Sequence, residues 1–391
     1  MLKSIIKFCR LFLTSLPQFH FHTRYSLLAA QGCPGLVLLI AVQKSSTVHN
    51  TSDGTVYVRE NAQCLPIKDP EKIRALGFAK GTFSFEEERV HPMRAEEISE
   101  APKLAEFLVD FSPKTDPLSF LLNEHLLDPK SWDPKYAAGL LFCNNPAAAL
   151  PRRCGIKIVR YETREEDPER DHLKETKSIE GPLYDLIHQA MDEIKKMLSN
   201  VNIWTVNGFE KVNYPPETLW EILVNSVIHR DYSISDDVQI LVFNDRVEVK
   251  SPGRFPANIN KENILRERFC RNPKIVRTLG RYRNPPNRDM GEGLDTAFNK
   301  MKEWKLRSPI IEEEGNYVLV TIPHTPLAKP EETVIEFLIV NNEITNRQAR
   351  DLTGIRSENE MKNVFYRLRD ADKIERVPDK RSTASAWRIK K

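Results

Sequence analysis

Residues 219–232 are the stretch of this 391-residue chain that most restricts its fold. Their apolar residues recur at the spacing of one helix face, which predicts a single amphipathic helix packed on a core. Glu221, Asn225 and His229 follow one another at intervals of four residues, so this helix would align their side chains on one face. The fold must therefore hold a carboxylate beside a carboxamide.

The chemistry of this face suits a nucleotide with a magnesium ion. An amide oxygen is a hard ligand for Mg²⁺, which makes Asn225 the candidate metal ligand. The carboxylate of Glu221 can orient or deprotonate a water molecule. A solvated polar stripe on a surface helix is the alternative interpretation, and these residues alone leave both open.

The residues after this helix predict a hairpin and a second helix. Residues 237–251 alternate between apolar and polar in two runs, with Asn244 and Asp245 as the turn between two strands. Gly291 and Gly293 then open a helix, where bare N–H groups and the helix dipole favour a phosphate. The apolar positions of that helix are Leu294, Ala297, Phe298, Met301 and Trp304.

In this order, the features resemble the GHKL-type ATPase domain, the Bergerat fold of gyrase, histidine kinases and MutL, over residues 205–325. The subgroup that they resemble is labelled RecG C-terminal-like or divergent AAA. The matching segments are PPETLWEILVNSVIHRDYS, VFNDRVEVKSPGRFP, RNPKIVRTLG, MGEGLDTAF and NYVLVTIP. The resemblance implies an α/β sandwich that binds the cofactors ATP and Mg²⁺.

The resemblance also implies roles for individual residues. Glu221 would be the catalytic glutamate, and Asn225 would be the Mg²⁺ ligand. The implied cofactor-binding residues are Asn225, His229, Gly253, Arg271, Asn272, Gly291, Glu292 and Gly293. Among these, Gly253 lies in the first glycine box, the last three lie at the second, and Arg271 and Asn272 belong to the RNP motif of the subgroup.

One position departs from the family pattern. GHKL proteins use an aspartate in a DxGxG box to accept a hydrogen bond from the adenine amino group, whereas this chain has Ser251 before Pro252 and Gly253. A serine hydroxyl can accept a hydrogen bond but carries no charge. A nucleotide site that has become structural therefore stays an alternative hypothesis.

Two enzyme classes are excluded by missing motifs. His229-Arg230-Asp231 matches the start of a kinase catalytic loop, but Asp236 stands where that loop has asparagine, and no DFG or VAIK segment accompanies it. The chain has no GxxxxGK[ST] segment and so no P-loop helicase motor. We expect Asp231 to pair with a neighbouring basic side chain instead, and a weak ATPase stays open.

Composition sets wider bounds. The formal net charge of +3 gives no global indication of nucleic-acid binding, so any basic surface must be local. The six cysteines form no CxxC pair or Cys/His cluster, which favours a cytoplasmic protein without a zinc site or disulfide framework. Residues 1–33 are apolar and basic but interrupted by Lys7 and Arg10, so a poorly defined segment is favoured over a targeting peptide, and no membrane span is expected.

Residues 34–95 resemble part of a Schlafen/AlbA-like domain, an α/β module linked to nucleic acid. The predicted elements are a buried strand at 35–42, a strand after the turn at 53–54 and a helix near 70–76. We assign no nuclease residue from this resemblance, because the front half of that domain is not recognisable in this chain.

Residues 96–204 are predicted to be a connector of helices and strands. Its elements are charged helices before 128, a buried strand or tight packing element at 137–142, a strand at 156–161, a solvated loop at 162–176 and an amphipathic helix to Leu198. The apolar stripe of that last helix would face the core or a homodimer partner.

Residues 331–391 predict a winged helix-turn-helix after a proline-containing linker. The elements are helices at 332–340, 346–353 and 358–371 and a hairpin that joins 374–377 to 386–389. Thr345 and Ser357 are the expected N-caps of the second and third helices, and Gly354 is expected to close the second helix.

The third of these helices would enter the major groove of double-stranded DNA. The DNA-binding candidates are Ser357, Asn359, Lys362, Asn363, Tyr366 and Arg367, with Lys380 and Arg381 at the wing tip. From Thr345 onward thirteen Lys and Arg stand against seven Asp and Glu, so the basic charge is local, as phosphate contact requires. Glu358 and Glu360 favour the alternative, a winged helix that contacts protein.

These observations lead to three hypotheses. The first is a transcriptional regulator in which ATP at the GHKL-like site changes the arrangement of the winged helix. The second is a slow ATPase that acts in a nucleic-acid transaction. The third is a module for DNA or protein contact whose nucleotide site has decayed.

Overall fold

The computed structural model describes residues 23–29, 36–42, 45–60, 63–91, 93–205, 208–257, 259–287, 293–325, 329–378 and 385–390. Contacts divide the chain into two compact units. The first contains the residues up to Phe83 together with 255–260, and the second contains 84–254 and 261–391. Of the predicted poorly defined segment, residues 1–33, only 23–29 are described, and they form a strand instead; the expectation for the others lies outside the described part. The fold class is mixed α/β, as predicted.

The first unit contains two antiparallel hairpins and a helix. These are β1 (Thr23–Ala29) with β2 (Leu36–Val42), β3 (Val56–Glu60) with β4 (Gln63–Ile67), and α1 (Pro70–Lys80). The Asp69 side chain caps α1 by accepting a hydrogen bond from the N–H of Glu71 at 3.0 Å. Gly81 ends it in the left-handed region, at φ 79°. The predicted strands and helix of this region are confirmed, and the AlbA resemblance stays a prediction.

The second unit begins with a group of short helices. They are α2 (Ala95–Ser99), α3 (Pro102–Phe111), α4 (Pro117–Asn123), α5 (Tyr136–Phe142) and α6 (Pro146–Ala149). Each residue of α5 is buried, which confirms tight packing, but the strand interpretation of 137–142 is wrong. The run of alanine and leucine favours helix, and burial on all sides removes the periodicity that would distinguish helix from strand.

A six-stranded mixed sheet forms the centre of the second unit. Its strands are β5 (Ile156–Tyr161), β6 (Leu173–Ile179), β9 (Val238–Val242), β10 (Arg246–Pro252), β11 (Ile310–Glu314) and β12 (Tyr317–Pro323); β7 (Asn202–Thr205) and β8 (Gly208–Lys211) form a separate hairpin. The order is β11-β12-β10-β9-β5-β6. The pair β5–β9 is parallel, and the other neighbouring strands are antiparallel. The predicted hairpin at 237–251 is confirmed as β9 and β10.

Four further helices accompany the sheet. They are α7 (Leu183–Leu198), α8 (Pro216–Ile228), α9 (Pro273–Leu279) and α10 (Gly293–Glu303). The apolar stripe predicted on α7 is buried within the chain, so it belongs to the core and does not form a dimer face. Along β9 the buried residues alternate with half-buried ones, which is the pattern of a sheet covered more fully on one face. The predicted loop at 162–176 is mostly exposed, but β6 already begins at Leu173.

Helix α8 ends earlier than predicted. Its last residue is Ile228, and His229 caps it by donating its N–H to the carbonyl of Asn225 at 3.1 Å. The prediction of a helix through 232 is wrong because the N–H of Asp231 bonds to the carbonyl of Pro252 at 2.7 Å and leaves the helical pattern. The chain turns there toward the end of β10.

Helix α10 also differs at its end. Trp304 was predicted on the apolar face, but the helix stops at Glu303 and this indole is 43% exposed. The reason is Lys305, which adopts φ 56° and lets the N–H of Leu306 reach the carbonyl of Met301 at 2.8 Å. The predicted inward residues Ala297 and Met301 are fully buried.

The last described residues form three helices and a small sheet, called here the C-terminal module (residues 330–390). The elements are α11 (Pro330–Val340), β13 (Ile344–Thr345), α12 (Asn346–Thr353), α13 (Glu358–Asp370), β14 (Ile374–Arg376) and β15 (Ala386–Ile389). The strand order is β13-β15-β14, all antiparallel. The predicted caps are confirmed: Thr345 caps α12, Gly354 ends it at φ 72°, and Ser357 caps α13. Stacked rings of Phe365 and Trp387 lie in the core.

Candidate nucleotide site

Helices α8 and α10 lie side by side and bring the candidate residues together. The hydroxyl of Thr218 on α8 donates to the carbonyl of Ala297 on α10 at 3.0 Å, so the two helices are fixed in register. Glu221 and Asn225 are half-buried on α8, and the Asn225 amide donates to Oε1 of Glu221 at 2.7 Å. This carboxylate–carboxamide pair is the arrangement that the i, i+4 spacing predicts.

The start of α10 lies directly against this pair. A Cβ atom on Gly293 would lie 1.5 Å from Oε1 of Glu221, so only glycine fits in this arrangement. The first turn of an eleven-residue helix, which is the positive end of its dipole, therefore meets the carboxylate–carboxamide pair. Gly291 and Glu292, the other predicted residues of this box, lie outside the described residues.

The donor set of this pair fits a magnesium–nucleotide complex. The hydrogen bond to Glu221 uses the amide nitrogen of Asn225, so its Oδ1 is the atom that can bind a hard cation. Burial raises the pKa of Glu221, and the hydrogen bond from Asn225 opposes that shift. A carboxylate with a raised pKa is better suited to take a proton from water than an exposed one.

The turn after β10 is built around Gly253. This residue adopts φ 123°, and a Cβ atom there would lie 2.3 Å from Nη1 of Arg271 and 2.9 Å from Cβ of Asp231. Its N–H donates to the carbonyl of Asn316 at 2.8 Å. Backbone conformation and close packing thus both require glycine at this position.

Arg271 holds that turn from the side. Its guanidinium lies 3.6 Å from the carboxylate of Asp231, and both side chains are buried. Nη2 of Arg271 also donates to the carbonyl of Arg254 at 2.8 Å. The expected pairing of Asp231 with a basic side chain is therefore confirmed. Its partner lies forty residues further along the chain, which the sequence alone could not indicate.

Asn272 and His229 lie at the end of α8. The Asn272 amide donates to the carbonyls of Ile228 and Arg230, at 2.9 Å each, and satisfies the helix C-terminus. Burial, followed by the charge of Arg271, lowers the pKa of His229 to about 4, so this ring is neutral at neutral pH. Nδ1 of His229 is buried and has no hydrogen-bond partner among the described residues.

Ser251 stands where the GHKL resemblance would imply an aspartate. Its hydroxyl is mostly buried and donates to the carbonyl of Ser226 on α8 at 2.7 Å. The hydroxyl hydrogen is thus committed to the fold, and the oxygen keeps only acceptor capacity. The sequence has no carboxylate at this position, and the serine that stands there links β10 to α8.

The sequence pattern did not reveal Glu86, which fixes the start of α9 beside Asn272. Its side chain is fully buried, and its two oxygens accept hydrogen bonds from the N–H groups of Lys274 and Ile275 at 2.8 and 2.9 Å. A carboxylate so far away in sequence gives no periodic or motif signal. It completes the N-terminus of the helix that follows the RNP motif.

Burial raises the pKa of Glu86 to about 7, against the two N–H hydrogen bonds. The folded state therefore holds this proton more tightly than the unfolded chain does. Ionising Glu86 lowers the free energy of unfolding; this loss is absent below the pKa of the unfolded state and complete above the pKa of the folded state. Relative to Glu86→Gln, the wild-type free energy of unfolding should fall by about 3 kcal/mol between about pH 4 and about pH 8. Urea unfolding of both proteins across this range measures that difference; a flat difference would show that the N–H groups offset burial.

The DNA-binding candidates of α13 are engaged within the chain to different degrees. Lys362 pairs with Glu358 at 2.6 Å, and Arg367 pairs with Glu331 of α11 at 2.7 Å. Ser357 caps the helix. The guanidinium of Arg369 lies 4.8 Å from the centre of the Tyr366 ring. Asn359 and Asn363 are exposed. Lys380 and Arg381 lie outside the described residues.

Two kinds of feature are absent from the described residues. No group of three or more His, Cys, Asp or Glu side chains is placed to hold a metal ion within the described ranges. Among the helices that the structure describes, none is both long enough and apolar enough to cross a bilayer.

Comparisons with known proteins identify one part of the chain. Residues 235–322 match the family described as "Putative ATP-dependent DNA helicase recG C-terminal". The DIP2311 protein of Corynebacterium diphtheriae aligns with a TM-score of 0.47 and 18% identity over 94% of this chain and 76% of that chain. No curated protein matches the chain. The family match spans β9 to most of β12 and begins after α8, so it includes α9 and α10 but not Glu221 and Asn225.

Proposed function

We propose that this chain is a DNA-binding transcriptional regulator whose DNA affinity responds to ATP and Mg²⁺ at the site between α8 and α10. The single observation that carries the nucleotide part is the Glu221–Asn225 pair, which lies against the glycine start of α10. A domain that matches an ATPase-like family supports it.

The residues of this site would have separate roles in binding the cation, the phosphates and a water molecule. Asn225 would bind the cation through Oδ1, because its amide nitrogen already donates to Glu221. The N–H groups at the start of α10 would bind phosphate oxygens. Glu221 would orient a water molecule, which makes slow hydrolysis compatible with the site. Bound Mg²⁺ would supply the positive charge that these residues lack.

The DNA part of the proposal rests on the C-terminal module. Its helices and hairpin have the order of a winged helix-turn-helix, with α13 as the helix that would enter the major groove. Asn359 and Asn363 are exposed on α13, and asparagine side chains can form paired hydrogen bonds with adenine. Lys362 and Arg367 would exchange their intramolecular ion pairs for phosphate contacts.

Calorimetric titration of ATP with Mg²⁺ into the purified chain tests the nucleotide site. We expect Asn225→Ala to weaken binding by about tenfold or more, since it removes both the cation ligand and the partner of Glu221. Asn299→Ala is the matched control, because this exposed asparagine lies on α10 and should leave binding unchanged. Equal binding by wild type and Asn225→Ala would contradict the assignment.

One observation favours the alternative of a decayed nucleotide site. Ser251 donates its hydroxyl hydrogen to Ser226 and offers no carboxylate to the adenine amino group. If the wild type does not bind ATP in the titration, the domain is better explained as a scaffold for the C-terminal module. DNA or protein contact would then be its remaining function.

A further inference from the structure

The turn between α12 and α13 (residues 354–357) is held against the sheet by ion pairs. Arg356, directly before the N-cap of α13, lies 2.6 Å from Glu166 and 3.5 Å from Asp245. Arg164 pairs with Asp351 on α12. These contacts join the C-terminal module to the β5–β6 loop and the β9–β10 turn of the central sheet, within one compact unit.

The surface that receives this turn is strongly acidic. Glu165, Glu166, Asp167 and Asp245, called here the acidic seat, line a cleft of about 540 Å³ together with Arg350 and Arg356 of the C-terminal module. The three residues 165–167 are exposed, so their charge is directed at the solvent around the turn. The seat thus places carboxylates beside Arg350 and Arg356.

A buried arginine fixes the position of the acidic seat. The guanidinium of Arg246 donates to the carbonyls of Arg164 and Glu165 at 3.1 Å each, and it pairs with Asp245 at 2.8 Å. It also lies 3.7 Å from the centre of the Phe243 ring. The seat is therefore attached to the start of β10 and is not a freely moving loop.

Duplex DNA could not occupy the same place. DNA carries about one negative charge per 1.7 Å of its axis, and carboxylates next to the turn would repel it. We propose that the acidic seat competes with duplex DNA for the helix-turn-helix turn, so that the docked arrangement is the DNA-free state. This inference rests on the DNA-binding part of the proposed function and adds its regulation.

Strand β10 joins the seat to the nucleotide site. Its first residue, Arg246, holds the seat, and its last, Pro252, accepts the hydrogen bond from Asp231 and leads into the Gly253 turn. A rearrangement at that turn has a direct structural route to the seat through one strand. If DNA competes for the turn, the result of such a rearrangement is the release of Arg356 from the seat.

The test compares two double variants with equal charge change. Glu165→Gln/Glu166→Gln removes two charges of the seat, and Glu96→Gln/Glu180→Gln removes two exposed charges outside the β5–β6 loop that carries it. Fluorescence anisotropy with a labelled DNA duplex of mixed sequence measures affinity. Hydrogen–deuterium exchange of residues 350–357 measures release of the turn without DNA. We expect the seat variant to bind about fivefold tighter than the control variant and to exchange faster.

Each outcome decides a separate question. Equal DNA affinity of the seat variant, the control variant and the wild type would overturn the competition and leave DNA binding in place. If no protein binds DNA although the turn of the seat variant exchanges faster, DNA binding itself fails, and the competition fails with it. Binding by the seat variant alone would support the proposal most directly.

Discussion

Replacing Gly253 with alanine should lower the free energy of unfolding by about 3 kcal/mol or more. The residue adopts φ 123°, which side chains rarely tolerate, and the new Cβ would lie 2.3 Å from Nη1 of Arg271. It would also lie 2.9 Å from Cβ of Asp231 and 3.2 Å from its backbone nitrogen, which cannot give way without moving the chain. Denaturant unfolding of the two proteins measures the difference.

Gly280→Ala is the matched control for this prediction. Gly280 has φ −68° and ψ −10°, and no atom lies nearer than 3.4 Å to its would-be Cβ. We expect it to change stability by less than about 1 kcal/mol. A Gly253→Ala protein as stable as this control would show that the Arg271–Asp231 pair is loosely held.

Replacing Gly293 with alanine should leave most of the stability intact but weaken ATP binding by about tenfold or more. The new Cβ would lie 1.5 Å from Oε1 of Glu221, which is the far end of a flexible side chain. The carboxylate can rotate away, but it then loses its hydrogen bond with Asn225. We therefore expect the damage to appear in ligand binding.

Calorimetric titration and denaturant unfolding of the same Gly293→Ala sample measure both quantities. The Gly280→Ala protein again serves as control, with unchanged ATP affinity expected. An alanine variant that binds ATP like the wild type would contradict the placement of the phosphate-binding helix start beside Glu221.

The helices and hairpins of this chain were largely predictable because their signals are local. Thr345 and Ser357 are good N-caps, and the structure uses both. The alternation in β9 and β10 also predicted the hairpin that the structure contains. Predictions of this kind need only a few neighbouring residues, so they do not depend on knowing the fold.

Three errors in predicting elements arose where hydrophobic spacing does not determine the outcome. Helix α8 ends at Ile228 because Asp231 bonds to Pro252, and α10 ends before Trp304 because Lys305 takes a left-handed conformation. In α5, complete burial hides the helical periodicity. In each case the deciding contact or conformation lies outside what hydrophobic spacing can indicate.

In the candidate site, too, the local contacts were predictable from the sequence and the contacts between remote residues were not. The pairing of Glu221 with Asn225 follows from helical spacing, and the structure contains it. Glu86 lies in no motif, whereas Arg246 and Arg271 lie in matching segments but contact residues that are remote in sequence. They determine the charge and position of the surrounding segments, which the sequence alone left undefined.

The parallel pairing of β5 with β9 has a consequence for how this chain can be divided. The region 235–322 includes β9 but not β5, which covers its open side in the sheet. A fragment cut at those limits would present an unpaired row of N–H and C=O groups along β9, the kind of edge on which chains aggregate. Closing this pair also requires two strands far apart in sequence to meet, which slows folding. The segment before α8 is therefore part of the smallest unit that can be expected to fold and stay monomeric.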